Sequence, residues 1–324
     1  MRSSRTSRAW VMGGLLCALG ARAQTPVEGF NAERFSPSAP GAGWFVMDSL
    51  DMHGELGGVL SFSARYARDP LRVSGVAVVT DSAYGQVAGA VTLGSWRFSA
   101  AFDFPLAVKG RTATIGEYAY TGPSLDLGTN PDTISDVRVG VDVRLIGEAT
   151  SAFRLGLGAQ LWIPSGRTEE YLTDGTYRGM VRLLFAGDVG WLAYAGHLGV
   201  HIRPRDDGGV PGAPRGSELL LGAAAGAKLF VGEASRAVIG PEVSGATAFN
   251  GFFKSETTSA EALLSARWEG TGEIGAQLRL KLGAGLGLGS SFGTPSWRIV
   301  FAIEMSAQSA AQVRVTEAPP LTSH

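Results

Sequence analysis

Residues 136–147 read Asp-Val-Arg-Val-Gly-Val-Asp-Val-Arg-Leu-Ile-Gly, and no other feature limits the possible folds so tightly. Val137, Val139, Val141, Val143 and Leu145 fall on one face of an extended chain. Asp136, Arg138, Gly140, Asp142 and Arg144 fall on the other. Successive strand side chains point to opposite faces, so this is a strand with one apolar and one polar face. The same period returns over 96–104, 153–161, 278–288 and 297–305, where aromatic and aliphatic residues alternate with charged residues and glycines.

A soluble β-sandwich alternates too, with its apolar face inward. Strand length separates the two architectures. The pattern predicts strands near 54–66, 84–93, 96–105, 134–147, 151–163, 177–187, 191–203, 216–230, 236–249, 259–268, 274–288 and 296–306. Soluble strands average about 5–6 residues, whereas tilted strands that cross a bilayer need about 9–11; most of these segments are of the longer kind. Their connections alternate long and short, the longest being 106–133, as outer loops and tight periplasmic turns would. The expectation is an all-β fold, an antiparallel transmembrane β-barrel of about twelve strands. Residues 71–80 are assigned to the first outer loop, which keeps the strand number even; fourteen strands is the alternative.

Residues 1–23 predict a cleaved signal peptide. Arg2, Arg5 and Arg8 form a basic start, 10–20 form a short apolar run, and Ala21-Arg22-Ala23 places cleavage near Ala23-Gln24. With 28 basic and 29 acidic residues in the whole chain, loss of Arg2, Arg5, Arg8 and Arg22 leaves a net charge of about −5. That balance excludes nucleic acid as a partner. Cys17 leaves with the signal, so neither disulfides nor thiol chemistry can operate afterwards. No later stretch has the length and apolarity of a membrane helix. These features predict export to the outer membrane of a Gram-negative cell, in contact with outer-membrane lipid. Residues 24–53 include Ser36-Pro37-Ser38-Ala39-Pro40-Gly41 and lack a strand period. They read as a periplasmic lead-in or a plug folded into the barrel. Residues 54–306 read as the barrel and 307–324 as a short tail.

If the apolar faces meet lipid, the opposite faces line the lumen. Arg65, Arg97, Asp103, Arg138, Asp142, Arg144, Arg154 and Arg178 then point inward, as do Arg182, Lys228, Glu242, Arg267, Arg279, Lys281, Arg298 and Glu304. A lipid-facing Arg or Lys at mid-membrane costs about 2–4 kcal/mol, which fixes the sense of this assignment. Cations outnumber acids in the set. Paired charges that brace a narrow barrel and a basic lining that passes anions both fit it. Trp96, Trp191 and Trp268 fall at the periplasmic strand ends, and Tyr66, Trp162, Tyr177 and Trp297 at the outer ends. Trp and Tyr favour membrane–water interfaces, so all seven are expected there.

The residues point to no catalytic, metal or cofactor site. His197 and His201 share a strand face but lie about 13 Å apart at roughly 3.3 Å per residue, too far to join through zinc–nitrogen bonds of about 2 Å. Gly285, Gly287, Gly289 and Gly293 lack the spacing of a phosphate-binding loop. They read instead as small residues leaving room inside a barrel. No Gly-x-Ser-x-Gly occurs, and no enzyme is expected.

Several short stretches carry a family resemblance. Phe30-Asn31-Ala32-Glu33-Arg34-Phe35, Gly43-Trp44-Phe45, Gly58-Val59-Leu60 and Tyr66-Ala67-Arg68-Asp69-Pro70-Leu71 are the first of them. Gly283-Ala284-Gly285-Leu286-Gly287-Leu288 and Phe292-Gly293-Thr294-Pro295, running on to Arg298, complete the set. Together they resemble the amino-terminal barrel region of OmpA-family outer-membrane proteins of myxobacteria. The resemblance implies a barrel; the acidic repeats and peptidoglycan-binding domain that follow it in that family have no counterpart here. The leading functional expectation is a porin-like passive channel for small solutes. The alternative is a structural or interaction barrel with a closed lumen, whose outer loops, chiefly 106–133, meet a protein partner the sequence does not name.

Overall fold

The alternating segments pair with their sequence neighbours as antiparallel strands. A computed structural model describes residues 24–52, 56–232, 235–271, 276–289 and 291–308. The signal peptide expected at 1–23, and nearly all of the tail expected at 307–324, lie outside them. The barrel strands are β1 (Gly57–Val73), β2 (Val76–Leu93), β3 (Trp96–Gly110), β4 (Val137–Ile146), β5 (Arg154–Ile163) and β6 (Arg178–Val189). They continue as β7 (Leu192–Ile202), β8 (Glu218–Gly232), β9 (Ser235–Ala248), β10 (Thr258–Thr271), β11 (Ala276–Gly287) and β12 (Trp297–Gln308). β12 pairs with β1 from Trp297↔Arg68 to Gln308↔Gly57, so the sheet closes on itself. Closure satisfies the backbone without a free edge, the condition for a sheet to stand in lipid.

The outer face is apolar. Leu60, Phe62, Val139, Leu157, Leu198, Leu282 and Phe301 are all exposed, with their polar strand neighbours turned inward. An apolar surface of this extent is a liability in water and the contact surface in a bilayer.

Residues 71–80 correct one expectation. They are not a loop but the extended tips of β1 and β2, joined at Ser74-Gly75, where φ is 49° and 82°. Left-handed residues at both positions of a two-residue turn match the twist of a hairpin. A bulge between Arg68 and Leu71 precedes it. Above the bulge, Leu71, Val73, Val78 and Val79 pack into a buried cluster, not against lipid. They are therefore neither a loop nor an additional strand, and the barrel number is twelve.

The expected loop 106–133 is also ordered at its base. β3 runs on to Gly110, Ala113–Ile115 pairs with Tyr118–Tyr120, and Ser124–Asp126 adds to the tip of β3. Thr25–Pro26 runs parallel to Tyr118 and Ala119, which sets the start of the described chain at the rim with the long connections. From there the chain passes down the interior and begins β1 at the opposite rim. Phe30, Tyr120, Leu125, Tyr171, Leu172 and Phe292 join the tips of β1 and β2 in an apolar cap over the long-loop end.

Leu282 faces outward opposite Phe301, well inside the belt. Leu282→Arg should cost about 2–4 kcal/mol, read as a lower unfolding midpoint in denaturant titrations of vesicle-inserted protein. An unchanged midpoint would contradict a lipid-facing Leu282.

Candidate functional site

The segment that descends through the barrel has no regular structure below Pro26, so its polar groups need partners from the wall. Three of its carboxylates meet wall arginines. Glu33 accepts from Arg298 at 2.9 and 3.1 Å, and Arg298 also reaches Glu261 at 2.7 Å. Asp48 pairs with Arg97, whose second partner Asp142 is 3.0 Å away, and all three are buried. Asp51 lies 3.4 Å from Arg279, which also holds Glu269 at 2.8 Å and Glu304 at 3.2 Å. In the other sense, Arg34 of the segment pairs with Glu218 of β8.

Wall side chains also satisfy the segment's backbone. Glu242 accepts from the amides of Phe45 and Val46 at 3.0 and 2.9 Å. Lys281 donates to the Trp44 carbonyl at 3.3 Å, and Arg144 to those of Leu50 and Met52 at 2.9 and 2.5 Å. Arg138 reaches the Ser36 hydroxyl at 3.0 Å and the Pro37 carbonyl at 2.5 Å.

Between these polar anchors lies a dry waist. The Ser49 amide donates back to the Ala42 carbonyl at 2.9 Å, folding 42–49 into a tight loop. Its apex residues Trp44, Phe45, Val46 and Met47 pack on Ala186, Ala193, Ala195, Ala224, Val238 and Leu263. Wall glycines make the sockets. A Cβ on Gly226 would lie 2.8 Å from the Trp44 ring, and one on Gly283 would lie 2.8 Å from the Phe45 ring. One on Gly156 would lie 2.9 Å from Leu50, and one on Gly222 would collide with Met47. Close packing makes such contacts intolerant of one added carbon.

Two polar cavities flank the waist. The upper, about 120 Å³, lies beneath the cap and is lined by Arg34, Trp162, Arg182, His197 and His201 among others. The lower, about 50 Å³, is lined by Asp51, Arg97, Glu269, Arg279 and Glu304. Among the described residues no group of three or more His, Cys, Asp or Glu could hold a metal ion.

The remaining expected interior residues fall in the same network. Asp103 lies 3.2 Å from Arg65 and accepts from Gln86 at 2.7 Å. Arg154 and Lys228 share Asp188 at 2.6 and 3.2 Å. Arg182 lies 3.9 Å from Asp142, and Lys281 lies 2.6 Å from Glu304. Arg178 holds Asp136 at 2.8 Å, and Arg267 holds Glu269 at 3.1 Å. Trp96, Tyr177, Trp191 and Trp297 are exposed on the outer face, with Tyr66 5.1 Å from the Trp297 ring and Trp268 half-buried near the end of β10.

Trp162 is a correction. It shares the inward face of β5 with Arg154 and Gln160, and its ring lies under Arg178 at 5.5 Å and Arg138 at 6.0 Å. Strand parity outweighs position near a strand end. The segment's own Glu33, Arg34, Asp48 and Asp51 carry no periodic signal and were not legible in the sequence. Glu261 and Glu269 were, since they share parity with Arg267.

A closed antiparallel barrel with an apolar belt and a charged, occupied interior is a transmembrane β-barrel of the outer-membrane type. No protein-family model and no curated protein matches the chain. Among solved structures, an outer-membrane channel from Pseudomonas putida F1 is 13% identical, covering 79% of this chain and 95% of that one, with a TM-score of 0.49. The NanC porin is 9% identical over 77% of this chain and 100% of its own, with a TM-score of 0.47. The translocator domain of the autotransporter NalP from Neisseria meningitidis is 10% identical over 81% and 91%, also at 0.47.

The sockets can be tested directly. Gly283→Val should displace Phe45 and expose the segment to trypsin after Arg34 in folded barrels, whereas Gly89→Val, whose new Cβ meets nothing closer than 3.6 Å, should leave the digest unchanged. Equal digestion of both variants would contradict the socket.

Asp174, in the connection between β5 and β6, anchors the top of the segment. It accepts from the Asn31 amide at 2.8 Å and from Arg203 at 2.6 Å. Burial pushes its carboxyl up, but Arg203 and Arg178 outweigh burial and hold it down at about 2. A depressed carboxylate contributes stability above its unfolded pKa of about 3.9 that is lost as pH falls toward its folded value. Cleavage of the segment at Phe30 or Phe35 should therefore rise when a brief acid exposure descends from pH 4 to 2, read by pepsin, which is active in acid and cuts at aromatic residues. Asp174→Asn should raise tryptic cleavage already at neutral pH and flatten the acid response.

Proposed function

We propose that the protein is an outer-membrane channel for small solutes that its own amino-terminal segment holds shut at the waist. The observation that carries this reading is the arrangement of two polar cavities separated by one apolar layer, Trp44 to Met47 against small wall residues. A barrel braced only for strength has no need of polar space on both sides of a removable layer. Passage is passive and involves no catalytic step. The belt's partner is outer-membrane lipid. Cleavage near Ala23-Gln24 belongs to the same reading, as does the resemblance to the myxobacterial OmpA-family barrels.

The waist also sets the sign of selectivity. Trp44 covers Arg267, 5.2 Å from its ring, and Phe45 covers Lys281 at 5.4 Å. Truncating the two rings uncovers two cations on the inner wall, and a basic constriction favours anions. In planar bilayers the native protein should give only small or infrequent currents. Trp44→Ala with Phe45→Ala should give larger, anion-preferring ones, because the ion pairs that hold the segment are untouched. Folded double variant that passes no current would defeat the channel reading. A barrel with a closed lumen, presenting 106–133 to a partner, would then take its place.

A further inference from the structure

The upper cavity holds donors that the ion-pair network does not use. Its carboxylates are committed: Glu33 and Glu261 to Arg298, Asp136 to Arg178, and Glu218 to Arg34. Arg182 differs. Its side chain is 3% exposed, yet Nε and one Nη have no hydrogen-bond partner, and its nearest carboxylate, Asp142, is 3.9 Å away. The wall is shaped around it. Arg182 is flanked in register by Gly158 and Gly199, and a Cβ on Gly199 would lie 2.8 Å from the Arg182 side chain. A buried guanidinium left short of partners costs free energy that an anion would restore.

His197 and His201 bracket Arg182 from the neighbouring strand, two residues either side of Gly199. Diagonal neighbours on one sheet face stand about 7–8 Å apart, close enough for one small ion to touch both strands. Nδ1 of His201 lies 3.2 Å from a Glu218 carboxylate oxygen, while its Nε2 is buried and unpartnered. Donation from Nδ1–H to Glu218 leaves Nε2 an acceptor. The cavity thus offers donors for charged oxygens at Arg182 and an acceptor for a hydroxyl at His201. Its roughly 120 Å³ is several times the roughly 10–15 Å³ that one water needs on the same measure. That is room for one tetrahedral oxyanion.

We propose that this cavity is a binding site for a small protonated oxyanion of the hydrogen phosphate type, held by Arg182 and His201. The proposal concerns the closed barrel and stands whether or not the barrel conducts. Sulfate has the same size and shape at neutral pH but no hydroxyl, so it makes the Arg182 contacts and leaves His201 Nε2 unpaired.

The test is calorimetric titration of the folded full-length protein in detergent at pH 7.5, with inorganic phosphate, sulfate and chloride as separate titrants. Saturable phosphate binding at least tenfold tighter than sulfate, with chloride weaker still, is the expected result. Arg182→Gln should weaken both oxyanions at least tenfold. His201→Leu should bring phosphate down to the sulfate level and leave sulfate unchanged. The indole of Trp162, 5.6 Å from the His201 ring, supplies a second signal. Its phosphate-dependent fluorescence should disappear in Trp162→Phe while the heat remains. Absence of saturable phosphate binding to the native protein would overturn the site. Equal phosphate and sulfate affinities would overturn the role of His201, and both readings come from native protein without need of a variant.

Discussion

An arginine that points into a narrow, filled barrel cannot keep its water, and every other feature of the interior follows from how that charge is met. The desolvation cost is several kcal/mol per ion, recovered only with good geometry and a full set of hydrogen bonds. Arg97 shows the solution. One wall carboxylate, Asp142, serves it from β4, and the second, Asp48, arrives from the descending segment. Arg298 repeats the scheme with Glu261 and Glu33, and Arg279 with Glu269, Glu304 and Asp51. The wall alone carries more buried cations than it can neutralise. Residues 24–52 are therefore part of the electrostatic design of the barrel and not an addition to it.

Sterics make the same point from the apolar side. Inward glycines would normally leave voids, which cost stability in proportion to their volume. Here Gly156, Gly222, Gly226 and Gly283 are occupied by Leu50, Met47, Trp44 and Phe45. Three of these glycines are thus the negative image of the 42–49 loop, and the fourth that of Leu50 just beyond it. The turns account for others, such as Gly75, whose φ of 82° is open to glycine at little cost.

Alternation was enough to place the wall. Arg97, Arg138, Asp142, Arg182, Lys281 and Arg298 are inward because backbone geometry sends every second side chain that way. The same rule turns Trp162 inward, against the preference of its ring for an interface, because parity is a property of the strand and interfacial preference only of the residue. What alternation cannot report is partnership. Glu33 and Arg298 are 265 positions apart and Asp48 and Arg97 are 49 apart, and nothing local in the chain marks either pair. The strand tips at 71–80 failed for a related reason: their apolar residues pack in a cap with Phe30 and Tyr171, which are remote in sequence.

The distribution of anchors bears on how such an interior can open. Expelling the whole segment would break the Glu33, Asp48 and Asp51 pairs together, and each broken buried pair costs about 3–5 kcal/mol. That sum, about 9–15 kcal/mol, is comparable to the net stability of a whole domain. Rearrangement of the apex alone is a smaller change. Moving Trp44 to Met47 gives up two amide contacts to Glu242, one carbonyl contact to Lys281, two hydrogen bonds from Ser38 and the socket packing, while Glu33–Arg298 and Asp51–Arg279 hold the two ends. On the proposed channel reading, a segment anchored by ion pairs above and below confines any opening to the waist between the two cavities. The charges that make the segment inseparable from the barrel are then the same charges that localise its motion.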